Sequence, residues 1–408
     1  MTRAELIATG SELLRFGRSD GNGDWLTRRL NALGVEVVSR SVVEDDAEVI
    51  AGKIRSALSA DLVLVTGGLG PTEDDRTREA LARVVDRPLE RDPRMVERLR
   101  AWFSERGRSF HELQERQADR PAGFAWLDNP VGTAPGLFGS VEGCSLFAVP
   151  GVPEELYAIF EASILPRLEG RGRGALALRM LRVAGRTESS VDEQLAGLHR
   201  VGPVEITLLT GSEGIEIHLR ASGGPAPQLK RSLDRVEGEI VRRLGADLYG
   251  RGEESLPGVV GELLTASGST VSTAESCTAG LIAAALTEVP GSSRWFRGGL
   301  IVYDDELKGW LAGVSEGALA AHGAVSRPVA EELARGARER CRTTYGLGVT
   351  GIAGPGGGTA EKPVGLVHLA LAGPADLQHR ELRMIGDRSL VRRRMVTAAL
   401  DTLRRRLL

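Results

Sequence analysis

Short apolar runs alternate with longer amphipathic stretches through the first part of the chain. Residues 4–9, 35–39 and 62–66 read as buried strands, while 24–33 and 48–60, apolar at helical spacing, read as the helices between them. This βαβ rhythm predicts an α/β fold with a parallel-rich sheet. Residues 145–149 read as a further buried strand and 153–168 as a helix opened by Pro153. Beyond 168 the pattern changes. The glycine- and arginine-rich run from Gly170 to Gly174 reads as a linker. Strands at 180–183, 205–209 and 215–221 and helices at 190–198 and 228–244 then predict a small α+β module, punctuated by GGPAP at 223–227. A third α/β unit begins near Ser255. Its expected helices are 256–267, 278–286, 326–341 and 389–407, and its strands 270–273, 299–303, 347–350, 364–371 and 381–385. The expected domains are therefore 1–169, 170–252 and 253–408.

Length and composition agree with several folded domains. The 408 residues exceed one ordinary core, and 42% hydrophobic with 26% charged residues is globular composition. The net charge of −3 provides no general attraction for nucleic acid or an anionic membrane, so neither is an expected partner. Three scattered cysteines, Cys144, Cys277 and Cys341, make neither a disulfide framework nor a zinc cluster. The N-terminus lacks a signal-peptide core and no span of about 20 apolar residues occurs, so a soluble, cytoplasmic protein is expected.

Three C-terminal segments carry chemistry. TAESCTAG (273–280) places small and hydroxyl residues where a strand hands over to a helix, so helix N–H groups should face an anion or oxyanion there; simple capping and close packing also fit. GGLIVYDDELK (298–308) ends a strand and starts a helix, bringing Tyr303 and Lys308 toward one sheet edge. TGIAGPGGGTAEKPVG (350–365) is a glycine-dense loop whose backbone can approach a phosphate closely. A serine needs a base to attack an amide, and no histidine falls in these segments; His322 and His368 are nearest. Lys308 is the remaining candidate, since a lysine serves where burial or neighbouring positive charge favours its neutral form. Ser276 and Lys308 thus form a candidate dyad with Tyr303 as relay. Cys277, the rival nucleophile, reads as a residue packing the turn.

In the N-terminal part, TGGLGPTEDD (66–75) suits a phosphate turn at Gly67, Gly68, Gly70 and Thr72. Glu73, Asp74 and Asp75 could hold a divalent cation there, or form an acidic helix cap. NPVGTAPG (129–136), containing Gly132 and Thr133, PGVPEE (150–155) and TGSELL (9–14) with Asn22 are further turns beside strands.

Taken together, the C-terminal segments, with Ser292, Ser293, Trp295, Phe296 and GDR at 386–388, closely resemble the nicotinamide mononucleotide (NMN) deamidase domain of the CinA family. The N-terminal motifs resemble that family's molybdopterin-binding-like domain. The resemblance implies hydrolysis of the NMN carboxamide to nicotinate mononucleotide and ammonia. Ser276 would be nucleophile, Lys308 base and Tyr303 assistant. Thr278, Gly280, Ser293, Thr350, Gly351, Gly354, Gly356, Gly357 and Arg388 would contact substrate, without a cofactor. It further implies metal-dependent cleavage of ADP-ribose to AMP and ribose 5-phosphate in the N-terminal domain, or binding of a pterin or nucleotide there without chemistry. The family's link to competence and DNA damage raises a non-catalytic alternative, with the recombinase RecA as candidate partner. The middle module would serve as spacer in a homodimer. Two departures stand out. Ala279 replaces a usual glycine, which would narrow the ligand's approach. Asp304 and Asp305 replace a Ser/Thr-Asn pair, adding negative charge that favours protonated Lys308.

Overall fold

The computed structural model describes residues 2–168, 175–211 and 213–408, so the expected linker at 170–174 lies outside the described residues. Contacts divide the chain into two compact units, Met1–Leu178 with Arg220–Leu233, and Arg179–Leu219 with Asp234–Leu408. No helix among the described residues is long and apolar enough to cross a membrane.

In the first unit, β1 (Thr2–Thr9), β2 (Val35–Val43) and β3 (Leu62–Thr66) are followed by a small hairpin, β4 (Leu89–Arg91) with β5 (Asp119–Pro121), and by β6 (Ala125–Leu127), β7 (Gly136–Val141) and β8 (Cys144–Val149). The six-stranded sheet runs β2-β1-β3-β8-β7-β6. Its first four strands are parallel and β7 and β6 antiparallel. Every residue of β3 is buried, because helices cover both faces. Ile7, Val63 and Val65 pack with Ile50, Ile54 and Leu81 on one side. Leu6, Leu62 and Leu64 pack with Leu26, Leu30 and Ile159 on the other. The expected helix at 153–168 is present as Pro153–Ile159 and Leu165–Leu168, joined by one π-helical turn, Phe160–Ile164. Helices Thr77–Val85 and Pro93–Glu105 escaped the sequence reading: both are arginine- and glutamate-rich, so their apolar stripes are narrow.

The middle strands β9 (Ala175–Val183), β10 (Arg200–Val201), β11 (Val204–Thr210), β12 (Ile215–Gly224) and β13 (Leu248–Arg251) pair in the order β10-β11-β12-β9-β13. Helix Ala226–Leu244 buries Leu229, Leu233, Val236, Ile240 and Leu244, a stripe at three- and four-residue spacing.

The C-terminal strands are β14 (Val271–Glu275), β15 (Phe296–Ile301), β16 (Tyr345–Gly351), β17 (Leu366–Ala372) and β18 (Leu377–Arg383), ordered β15-β14-β16-β17-β18. β15, β14 and β16 are parallel; β17 and β18 are antiparallel to their neighbours. Helix Arg327–Cys341 lies so close to β16 that a Cβ on Gly346 or Gly348 would come within 2.4 Å of the Ala334 or Ala330 carbonyl oxygen. Glycine there is a demand of space. The opposite face is the apolar core of Leu256, Val260, Leu264, Leu347, Leu369, Met395 and Leu400.

Candidate functional site

The chain enters β14 from below, leaves at Glu275, descends to β15 on one side and returns later through β16 on the other. The carboxyl end of β14 is therefore the point where strand order reverses, and crevices for ligands open there in α/β sheets. Ser276 is the first residue past that end; its N–H donates to the Val349 carbonyl at 3.0 Å, which keeps it in register with β16. The following helix begins at Leu281, not at Thr278 as expected. The reason is Glu275. Its buried carboxylate accepts from the N–H groups of Gly280, Ile282 and Ala283 at 2.9–3.1 Å and from the Thr273 hydroxyl at 3.1 Å. The helix N-terminus expected to face an anion is thus filled by the protein's own side chain. Ala279 and Gly280 both take positive φ, +49° and +91°, to turn the chain into it.

What remains for an oxyanion is the turn itself. The N–H groups of Cys277 and Thr278 donate to no oxygen acceptor among the described residues, the Cys277 sulfur being their one polar neighbour there. Among the same residues the fully buried Thr278 hydroxyl has no partner, nor has the Arg392 Nε, although Arg392 Nη2 donates to the Thr278 carbonyl at 2.8 Å. Cys277 lies in the core with its Sγ 3.6 Å from the Met395 sulfur, and burial pushes its thiol up to about 12, so it stays protonated as a packing residue.

Lys308, only 2% exposed, extends from helix Asp305–Ala312. Its ammonium donates to Asp305 Oδ1 at 2.9 Å and to the Tyr303 carbonyl at 3.2 Å. Among the described residues it makes no hydrogen bond to Ser276, so the expected dyad is not joined in this arrangement. Hydrogen bonds of this kind often tighten only once substrate is bound. Asp304, by contrast, caps this helix by accepting from the Glu306 N–H. Tyr303 is 57% exposed, and its phenol accepts from Arg388 Nη2 at 2.9 Å instead of lying on a path from Ser276 to Lys308. Arg388 Nη1 also donates to the Gly354 carbonyl, tying Tyr303 to the glycine loop.

In that loop the N–H groups of Gly354, Gly356 and Gly357 are unpaired among the described residues, as a phosphate cradle requires. Thr350, at the end of β16 with Gly351, has its hydroxyl engaged by the Ala324 carbonyl. His368 is the cross-strand neighbour of Thr350, nearer than chain order suggested, but its Nδ1 is 3.1 Å from His379 Nε2. Ser293 is a correction. It precedes β15, whose first residue pairs with Val271 at the opposite end of β14 from Ser276. At about 3.3 Å per residue the strand carries Ser276 about 16 Å from Val271, at the other end of the sheet from the turn that holds Ser293. This chain does not bring Ser293 to the site.

A second constellation lies in the first unit, where a cavity of 420 Å³ opens at the carboxyl ends of β1, β3 and β8. Gly67, Gly68, Gly70, Asp74, Asp75 and Thr133 line it. Gly67, at φ +96°, passes so close to β1 that a Cβ would meet the Thr9 carbonyl at 2.6 Å. The loop is held from behind by arginines: Arg78 donates to the carbonyls of Leu69 and Gly70, and Arg116 to those of Pro71 and Thr72. Burial pushes Arg78 down to about 10, still charged at neutral pH. Asp75 is spent on the same loop, accepting from the N–H groups of Gly70 and Thr72 and from the Thr72 hydroxyl at 2.6–2.8 Å. Gly70 therefore offers no free N–H to a phosphate. Glu73 does not line the cavity, and the expected trio of Glu73, Asp74 and Asp75 does not converge. No group of three ligating side chains suited to a metal occurs among the described residues. Asp74 remains as the member of the trio that lines the cavity and is not spent on its own loop. The donors fit an ion carried mostly by substrate phosphates, of the magnesium type, and not a protein cage. Gly132 donates its N–H to Asn129 and Thr133 accepts from Gln117.

Sequence reasoning missed four residues here: Glu275 and Arg392 beside Ser276, and Gln117 and Glu155 in the cavity. Burial raises the Glu155 carboxyl, against a hydrogen bond from Asn129 at 2.7 Å. Only the motif around Glu155 was visible; nothing local marked the other three.

The family profiles that match are the probable molybdopterin binding domain over residues 5–170, the damage-inducible protein CinA KH domain over 178–250 and the CinA C-terminal domain over 253–407. A putative competence-damage inducible protein of Symbiobacterium thermophilum is 44% identical, covering 99% of both chains. A CinA-like protein of Frankia casuarinae is 43% identical over 99% of this chain and 96% of its own. Among solved structures, the competence/damage inducible protein CihA from Agrobacterium tumefaciens matches 36% of this chain and 91% of its own at 46% identity, with a TM-score of 0.36. With relatives of this identity along its whole length, the chain belongs to the CinA family.

Proposed function

We propose that the C-terminal part hydrolyses the carboxamide of NMN. One observation carries this reading: Ser276 stands at the switch point of the sheet, followed by two N–H groups without an oxygen acceptor among the described residues, while buried Lys308 sits on the helix that follows the neighbouring strand β15. In the proposed reaction Ser276 Oγ attacks the carboxamide carbon and its proton passes to neutral Lys308. The N–H groups of Cys277 and Thr278 hold the oxyanion. Lys308 then returns the proton to the leaving amine, ammonia departs, and water releases nicotinate mononucleotide from the acyl-enzyme. Arg388 and the unpaired N–H groups of the glycine loop would hold the phosphate. Ammonia release from NMN tests this on wild type, Ser276→Ala and Lys308→Ala. No release by wild type, or full activity of Ser276→Ala, would remove the reading.

For the N-terminal part we propose metal-dependent hydrolysis of ADP-ribose to AMP and ribose 5-phosphate. The cavity beside the 66–75 loop supports it, with Asp74 the residue that would hold a divalent ion. When bound, such an ion neutralises phosphate charge and activates water. That Asp75 is consumed by its own loop favours a second reading, binding of a pterin or nucleotide without cleavage. AMP formation across a metal series, in wild type and Asp74→Ala, separates the two. A homodimer is part of the proposal and is tested by light scattering; binding to RecA is tested by pull-down.

A further inference from the structure

The long helix Arg388–Leu407 carries Arg388 and Arg392 at one end; near the other it borders a cleft that the proposed reactions leave unused. The cleft has a volume of 310 Å³ and is walled by Arg186 and Asp247 from the middle module and Arg380, Asp401, Thr402 and Arg405 from the C-terminal strands and helix. Its carboxylates are already saturated. Asp247 accepts from Arg186 Nε at 2.6 Å and from Arg405 Nη2 at 2.8 Å. Asp401 accepts from Arg405 Nε at 2.7 Å and from the buried Arg404 at 2.7 and 3.0 Å. Three guanidinium groups thus bond two carboxylates, and Arg380 adds a fourth without one, leaving two positive charges in excess.

The excess falls on groups that face the cleft. Arg380, half-buried on β18, forms one hydrogen bond among the described residues, from Nη1 to the Thr402 hydroxyl at 2.9 Å, and has no carboxylate partner there. Arg186 uses only Nε, so both its terminal amino groups remain free among the described residues. Planar guanidinium forks with spare N–H groups match phosphate oxygens in pairs. No aromatic or aliphatic side chain among the described residues lines the cleft, so a nucleobase would find nothing to stack on. At about 1.5 Å per residue, Asp401 lies about 20 Å along the helix from Arg388, well removed from Ser276.

We propose that this cleft is a binding site for a compact free phosphate anion, orthophosphate or pyrophosphate, held between Arg186, Arg380 and Arg405. The test is isothermal titration of the full-length protein with pyrophosphate, orthophosphate and AMP. Wild type, Arg186→Gln, Arg380→Gln and, as reference, Arg388→Gln are compared, each first shown to melt within about 2 °C of wild type. The expected result is a saturable pyrophosphate site that is present in wild type, persists in Arg388→Gln and is weakened at least about tenfold in Arg380→Gln, with AMP no tighter than orthophosphate at that site. If Arg380→Gln fails to fold, Arg186→Gln decides by the same criterion. Absence of saturable pyrophosphate binding, unchanged affinity in the deciding variant, loss in Arg388→Gln instead, or tighter AMP binding abolished by the same variants would each overturn the proposal. A negative result here leaves ammonia release from NMN unaffected, so the two readings fail separately.

Discussion

Ala279 sits at φ +49°, in the left-handed region that costs a residue with a Cβ roughly 1 kcal/mol. It is exposed, so its methyl gains no packing in return. Ala279→Gly should stabilise the C-terminal fold by about 1 kcal/mol, read as a higher melting temperature; an unchanged or lower value would show that the turn carries no such strain. The second departure from the family pattern acts on charge. Asp305 pairs with the Lys308 ammonium at 2.9 Å, engaging it away from Ser276. Asp305→Asn weakens that hold, so ammonia release at neutral pH should rise, with little change in KM. A fall would mean that the pair positions Lys308 for its work.

At the scale of an element, the junction from β14 to the next helix depends on Glu275. Three helix N–H groups and a hydroxyl converge on its carboxylate, satisfying donors that would otherwise be buried and unpaired. Glu275→Gln keeps the shape but removes the charge and replaces one acceptor by a donor. It should cost about 2–3 kcal/mol in denaturant unfolding and lower kcat more than it raises KM, because the N–H groups of Cys277 and Thr278 lose their fixed aim. Glu275→Asp, which keeps the charge, should recover part of both. The sequence reading placed the strand and the helix correctly but began the helix at Thr278. Helix propensity alone cannot see a side chain from the preceding strand closing the first turn, nor a positive φ adopted by an alanine.

Across the whole C-terminal sheet, His368 and His379 join β17 to β18 with their ring nitrogens 3.1 Å apart. Burial lowers both below the ordinary histidine range. The charge of the other ring and of Lys362 adds to this at His368, and Arg327 at His379, while Glu381 and Glu331 oppose it. A base with a depressed native value binds fewer protons folded than unfolded, so its contribution is present above about pH 6.5 and lost as pH falls through the native values. The melting temperature of wild type should drop between about pH 7.5 and 5.5 more than that of His379→Asn; equal drops would exclude the pair as the cause. The chain's local chemistry was enough to announce its α/β rhythm, the strands read at 270–273, 299–303 and 347–350, whose ends fall within two residues of Glu275, Ile301 and Gly351, and the glycine loops beside them, because burial on both faces and tight turns leave their mark in neighbouring residues. Only the tertiary structure decided what those residues do. It spent Asp75 on its own loop, filled the helix N-terminus with Glu275, turned Tyr303 toward Arg388 and left Ser293 at the far end of the sheet. Each outcome depends on which distant donor reaches a charged or hydroxyl group first, and hydrogen bonds between remote segments leave no periodicity in a sequence.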